Sequence, residues 1–297
     1  MRYFVCRIYR RDLYDVNCSY RNLTSLPELP IEPSRVNSLK LDGTPNLQIT
    51  SSSFTNFSSL VRLSLPDSSI PYDNPQLFSA NKRLVELNAT GTVVNVSNSL
   101  FSTTPQLKHL RGLSVKLFPK GLFSSLRRLQ ILHIETEQKS LDGHMLSGTA
   151  LQQLRLAANN VKSLPDNLLK PVSKSLEHLY LRAYQLTSLP QNFLANAATL
   201  KYLNIDAPRI SITCPLFNLE IYNTEVVISA AHMFDACVFD NITAIGEIQL
   251  NDVDNVVCAM NIKQASQYKT LAITNSGITE FTGNYICHGL DHVCRAC

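Results

Sequence analysis

Residues Leu151 to Phe193 state one pattern twice. Leu151, Leu154, Leu156, Asn159, Val161, Leu164 and Pro165 recur 25 residues later as Leu176, Leu179, Leu181, Tyr184, Leu186, Leu189 and Pro190. The pattern LxxLxLxxNxLxxLP places a short strand with its apolar side inward and then turns the chain around the same core. One such coil cannot cover its own leucines, whereas stacked coils bury them in a continuous column. The repeat therefore predicts an elongated solenoid, and overrides the one or two globular domains that 297 residues would otherwise suggest.

The period extends in both directions. First positions fall at Val36, Leu60, Leu84, Leu107, Leu129, Leu151, Leu176 and Leu200. A second ladder, Phe54, Phe78, Phe101, Phe123, Met145, Leu169 and Phe193, precedes the next first position by six or seven residues. Large side chains at that spacing predict a spine filling the convex side of each coil. Beyond Asp206 the pattern loosens to three strand signatures: Leu216, Leu219 and Ile221; Ile245, Ile248 and Leu250; Tyr268, Leu271 and Ile273. The expectation is about eleven coils of an α/β solenoid, curved, with a parallel concave sheet, an irregular convex side and a cap at each end. The domains are then an N-terminal cap over 1–35, a solenoid over 36–285 that is irregular after 206, and the start of a C-terminal cap over 286–297. The Asn159 amide is expected to satisfy backbone groups at its turn. Its equivalents Tyr184 and Pro208 cannot do so in the same way, which predicts irregularity there.

All eight cysteines sit near the two ends: Cys6 and Cys18, then Cys214, Cys237, Cys258, Cys287, Cys294 and Cys297. This distribution favours disulfides and an oxidising compartment. At the N-terminus Cys6 with Cys18 is the one local pairing; the other six leave the connectivity open. Six N-x-S/T sequons, at Asn17, Asn22, Asn56, Asn88, Asn95 and Asn241, agree with that compartment. The start, MRYFVCRIYRR, lacks the apolar run of a signal peptide, so the sequence is expected to begin downstream of its true start.

The period of 22 to 25 residues, the Leu-Pro after the turn and the convex Phe ladder resemble extracellular leucine-rich repeat proteins, a class that includes Toll-like receptor ectodomains and secreted repeat binders. Bacterial effector repeats share the TSLPELP-like phrase but keep a shorter period and lack the Phe ladder. The resemblance covers about residues 18 to 285 and implies a non-catalytic ectodomain, extracellular or at the cell surface, that binds a protein partner. A signalling receptor ectodomain whose membrane span lies beyond this chain, and a matrix protein marked by self-association, are the alternatives.

Alternation along the strands turns the residues between core leucines outward on the concave face. Arg62, Ser64, Glu86 and Asn88 come first, followed by the block richest in Tyr, Arg and His: His109, Arg111, His133, Glu135, Arg155, His178, Tyr180, Arg182, Tyr202, Asn204 and Asp206. Tyr and Arg serve as binding anchors, so this block is the expected ligand-binding surface. A glycan on Asn88 would shield one end of it. No phosphate loop, HExxH or GxSxG occurs, and neither cofactor nor metal is expected. His232, Asp235 and Cys237 are read as solenoid and cap residues rather than a catalytic set. The group Cys287, His288, His292, Cys294 and Cys297 lacks paired CxxC knuckles, which disfavours zinc. The net charge of +4 is dispersed, which argues against nucleic acid, and no apolar run is long enough to span a membrane.

Overall fold

The computed structural model describes residues 6–10, 12–65, 70–89, 91, 94–191, 193–194, 196–213, 222–235, 244–259, 268–274, 276, 278–282, 285–288 and 293–296. The chain divides into two compact units, Met1–Glu137 with Ser147–Ala150, and Gln138–Leu146 with Leu151–Cys297.

The first unit opens with an antiparallel hairpin, β1 (Arg7–Arg10) and β2 (Tyr14–Asn17), with a disulfide between Cys6 and Cys18. From β2 the pairing becomes parallel and runs through β3 (Val36–Lys40), β4 (Arg62–Ser64), β5 (Glu86–Asn88), β6 (His109–Val115) and β7 (Ile131–Thr136). Leu39, Leu63, Leu87, Leu110 and Leu132 stand opposite one another and are all buried. The first-position residues Val36, Leu60, Leu84, Leu107 and Leu129 are wholly buried beneath the same sheet.

On the far side of each coil lies the aromatic spine. Phe54, Phe78, Phe101 and Phe123 stack in sequence with centroid separations of 6.3, 6.4 and 6.5 Å, and none is more than 1% exposed. Hydroxyl and amide side chains tie each coil to the one before it. Asn81 donates to the carbonyls of Phe54 (3.1 Å) and Phe57 (3.0 Å), Thr103 to Phe78 (3.1 Å) and Ser125 to Phe101 (2.9 Å).

The second unit continues the style in β8 (Gln153–Ala157), β9 (His178–Arg182) and β10 (Tyr202–Ile212), parallel and in regular register from β8 through residue 206 of β10. Ser175 and Thr199 again reach back, to the carbonyls of Leu151 (2.7 Å) and Leu176 (2.9 Å). At the spine position where Met145 is expected, Met145 is only half-buried and its neighbour Leu146, 1% exposed, takes the inner place.

The architecture then changes. β10 does not turn at Pro208 but runs on to Ile212, with Ile210 and Ile212 buried by alternation. β11 (Tyr222–Asp235) pairs with it in parallel, with register breaks at Asp206 and after Ala207. β12 (Ala244–Asn251) and β13 (Val253–Ala259) each pair with a different half of β11, with Asp252, at φ +54°, between them. β14 (Tyr268–Thr274) lies on β12, and β15 (Ile278–Thr282) lies on β13. Each of these coils carries two strands and a corner, in place of one strand and a turning segment. β16 (Tyr285–His288) and β17 (Val293–Ala296) form an antiparallel hairpin with Cys287 opposite Cys294, and β17 also pairs antiparallel with β14.

Two expectations are corrected. The solenoid has about nine turns, not eleven, because the leucine-rich pattern ends as β11 begins and the remaining strands follow the two-strand plan. It is not α/β: among the described residues helix is confined to single 3-10 turns, Pro33–Arg35 and Lys170–Val172. The connecting segments are rich in Ser, Thr, Asn and Pro, which are poor helix formers. They fold as chained i→i+3 turns, such as Leu100 to Ser97, Thr104 to Phe101 and Leu107 to Thr104. Of the residues at the Asn159 position, Thr44 bonds the carbonyl of Leu41 at 2.5 Å, whereas Oδ1 of Asn159 is buried with no hydrogen-bond partner among the described residues. Ser68 and Thr92 lie outside the described residues.

Candidate functional site

The outward sheet face presents the expected residues in rows, because the parallel register repeats them at strand spacing. In the first unit one row is Ser38, Arg62, Glu86, His109 and Ile131, and the next is Lys40, Ser64, Asn88 and Arg111. Arg62 pairs with Asp15 at 3.1 Å, His109 Nδ1 lies 3.4 Å from Glu86, and the Asn88 amide donates to the Ser64 hydroxyl at 3.2 Å. Burial, followed by the nearby Arg111 charge, lowers the His109 pKa; Glu86 opposes that shift. β6 contains a bulge the sequence reading missed: Arg111 and Gly112 oppose the single residue His133. Gly112 takes φ +77°, which a side chain would resist. The bulge restores the inward phase at Leu113 and sets Ser114 beside Glu135.

In the second unit the rows are Gln153, His178, Tyr202, Glu225 and Glu247; Arg155, Tyr180 and Asn204; and Ala157, Arg182 and Asp206. Here the expected residues converge. Arg155 places its guanidinium carbon 4.1 Å from the centre of the Tyr180 ring. The Tyr202 ring lies 4.9 Å from the Tyr180 ring, and His178 lies 6.5 Å from Tyr202. Since β9 runs between β8 and β10, Tyr180 is flanked by Arg155 on one side and on the other by the Tyr202 ring, tilted 34° to its own. Arg182 extends to 6.0 Å from the Tyr184 ring, which is 42% exposed. Asn204 shares hydrogen bonds with Ser229 at 3.0 and 3.3 Å. The carboxyl of Asp206 is raised by burial, an effect that Arg182 partly offsets. Arg155 is exposed, and His178, Tyr180, Arg182, Tyr202, Asn204 and Asp206 are each half-buried.

Asn22, Asn56 and Asn95 are exposed, Asn17 and Asn88 are half-buried, and Asn241 lies outside the described residues. Cys214, Cys237 and Cys297 also lie outside them, as do the side chains of Cys258, Cys287 and Cys294 and, with them, the zinc question at the C-terminus. His232 faces Asp254 at 3.2 Å across β11 and β13, an ion-pair geometry on the solenoid wall. Among the described residues no group of three His, Cys, Asp or Glu could hold a metal ion, and no helix is long and apolar enough to cross a membrane.

Comparison with known proteins places this geometry. The family model of the BspA type leucine rich repeat region matches in six copies over residues 32–130 and 113–223. No curated protein matches. Among solved structures, the Toll ectodomain in the Toll–Spatzle complex, a molecular hub in Drosophila development and innate immunity, is 16% identical, with a TM-score of 0.62 over 82% of this chain and 33% of that one. The glycosylated form of that complex gives 14% identity and a TM-score of 0.55 over 82% of this chain and 40% of that one. At these identities the likeness is one of fold. This chain spans about a third of the Toll chain's length.

Proposed function

The chain belongs to the BspA-type leucine-rich repeat family, and from that premise we propose that it is a non-catalytic binding protein whose second unit docks a protein partner on the outward face of β8, β9 and β10. The observation that carries this reading is the Arg155–Tyr180–Tyr202 cluster, at 4.1 and 4.9 Å. Side chains already packed against one another lose little freedom on binding, which lowers the cost of association. Tyr and Arg are the residues such interfaces use as anchors. Asp206, held on this face against the penalty of burial, fits a surface kept for recognition. The Toll–Spatzle complex gives an example of a similar fold that takes part in a complex.

The Cys6–Cys18 disulfide and the exposed sequons Asn22, Asn56 and Asn95 support an extracellular or cell-surface location. A receptor ectodomain is a narrower reading of the same fold, and an apolar run of about 20 residues encoded downstream would mark it.

A photo-crosslinking residue at Gln153 and, separately, at Asn204, used on material from the protein's own source, tests the site. Both positions are expected to capture the same protein, and Lys170, exposed in the 3-10 turn that connects β8 to β9, is not. No adduct, or equal capture at Lys170, would sink the proposal.

A further inference from the structure

A second site, in the first unit, is independent of the one above. The hairpin of β1 and β2 and the strands β3 and β4 enclose an open cavity of about 460 Å³, lined by Tyr9, Arg10, Asp15, Asn17, Lys40 and Arg62 among others. Its charges do not cancel. Arg62 is committed to Asp15 at 3.1 Å, and Asp15 also receives the Asn37 amide at 3.2 Å, so that pair is neutral and braced as part of the wall. Among the described residues Arg10 and Lys40 have no ion pair, which leaves two unbalanced cations on the cavity. Tyr9, 54% exposed, adds an aromatic ring beside them.

The geometry points to this cavity as a binding site for an acidic peptide segment. Its volume lies in the range of ligand sites, about 300–1,000 Å³, and is far more than one phosphate or sulfate needs. The cations are spread rather than convergent. Arg10 on β1, Lys40 on β3 and Arg62 on β4 span three strand spacings, roughly 14 Å at about 4.8 Å each. An extended peptide covers that span in about four residues. Acidic side chains about four residues apart would meet Lys40 and Arg10, and the residues between them would lie against Tyr9. A single small anion would reach one of these cations and leave the other unsatisfied.

The probe is fluorescein-labelled hexaglutamate, titrated into the full chain at physiological salt and followed by anisotropy. Arg10→Gln with Lys40→Gln is compared with Lys82→Gln with Arg83→Gln, a pair of exposed cations in the same unit whose removal changes net charge equally. The cavity pair is expected to weaken binding by about tenfold or more, since truncating charged contacts to a bound ligand has effects of that order; the control pair changes it little. Equal weakening by both pairs would show attraction to overall charge and overturn the assignment. So would absence of binding, or displacement of the peptide by inorganic phosphate at comparable concentration, which would make the cavity a small-anion site.

Discussion

The guanidinium of Arg155 covers one face of Tyr180, 4.1 Å from the ring centre. The two residues stand opposite each other on β8 and β9, so the register that builds the solenoid also builds the contact. A cation over an exposed or partly exposed tyrosine contributes about 0.5–1 kcal/mol. Arg155→Ala is therefore expected to lower stability by no more than about 1 kcal/mol in urea titration while reducing partner capture at Asn204 several-fold. A large stability loss with capture unchanged would make the contact structural.

Phe78 lies between Phe54 and Phe101 in the spine, fully buried. Replacing it with Ala leaves a cavity shared by three coils and should cost about 3–5 kcal/mol. Urea unfolding followed by far-ultraviolet circular dichroism reads this directly. A loss below about 1 kcal/mol would mean the spine collapses around the gap and is not close-packed.

Asn81 donates to two buried carbonyls, of Phe54 and Phe57. Asn81→Ala strands both, for an expected cost of about 1–3 kcal/mol. Asn81→Leu, which restores volume but not the donors, should remain destabilised; recovery on Leu substitution would show that packing, not hydrogen bonding, is what the site needs.

His109 and Asp206 shape the pH dependence in opposite ways. Burial lowers the His109 pKa, with Arg111 adding to the effect. The folded state thus binds that proton less tightly than the unfolded chain does, and the contribution present above the unfolded value near 6.5 is lost as pH falls through the lower, folded value. His109→Gln should flatten the acid limb of a melting-temperature profile. Burial raises Asp206, so its contribution is full at pH values below the unfolded carboxyl value and is lost as pH rises through the folded one. Asp206→Asn should raise the melting temperature at neutral pH and not at acid pH. Profiles that leave wild type and variants parallel would contradict both assignments.

Much of the fold is legible in the sequence where the repeat is strict. The eight first-position residues, Val36 to Leu200, are all buried, because a leucine at fixed period has one place to go in a stacked coil. Alternation along β9 and β10 was enough to turn Tyr180 and Tyr202 outward, though their contact depends on register, which single strands do not display. Four things were not legible. The arc of Ser, Thr and Asn side chains reaching back to the previous coil looks like ordinary loop composition, although Asn81, Thr103, Ser125, Ser175 and Thr199 each fall within four residues before a first position. The bulge at Arg111 and Gly112 gave one signal, a glycine inside a strand pattern. The two-strand coils beyond Asp206 replace the leucine motif with alternating β-branched residues such as Ile210 and Ile212, so counting leucine signatures there counted the wrong kind of turn. The cavity beside Tyr9 was invisible because its lining comes from four strands, β1 to β4.

The decisive measurement is the affinity of the protein captured at Gln153 and Asn204 for the wild-type chain and for Tyr180→Ala with Tyr202→Ala, by titration calorimetry with the folding of both chains checked. Loss of at least about 2 kcal/mol, some thirtyfold in affinity, is the predicted result. Equal affinity for a folded double variant would contradict the claim that the paired tyrosines anchor the partner.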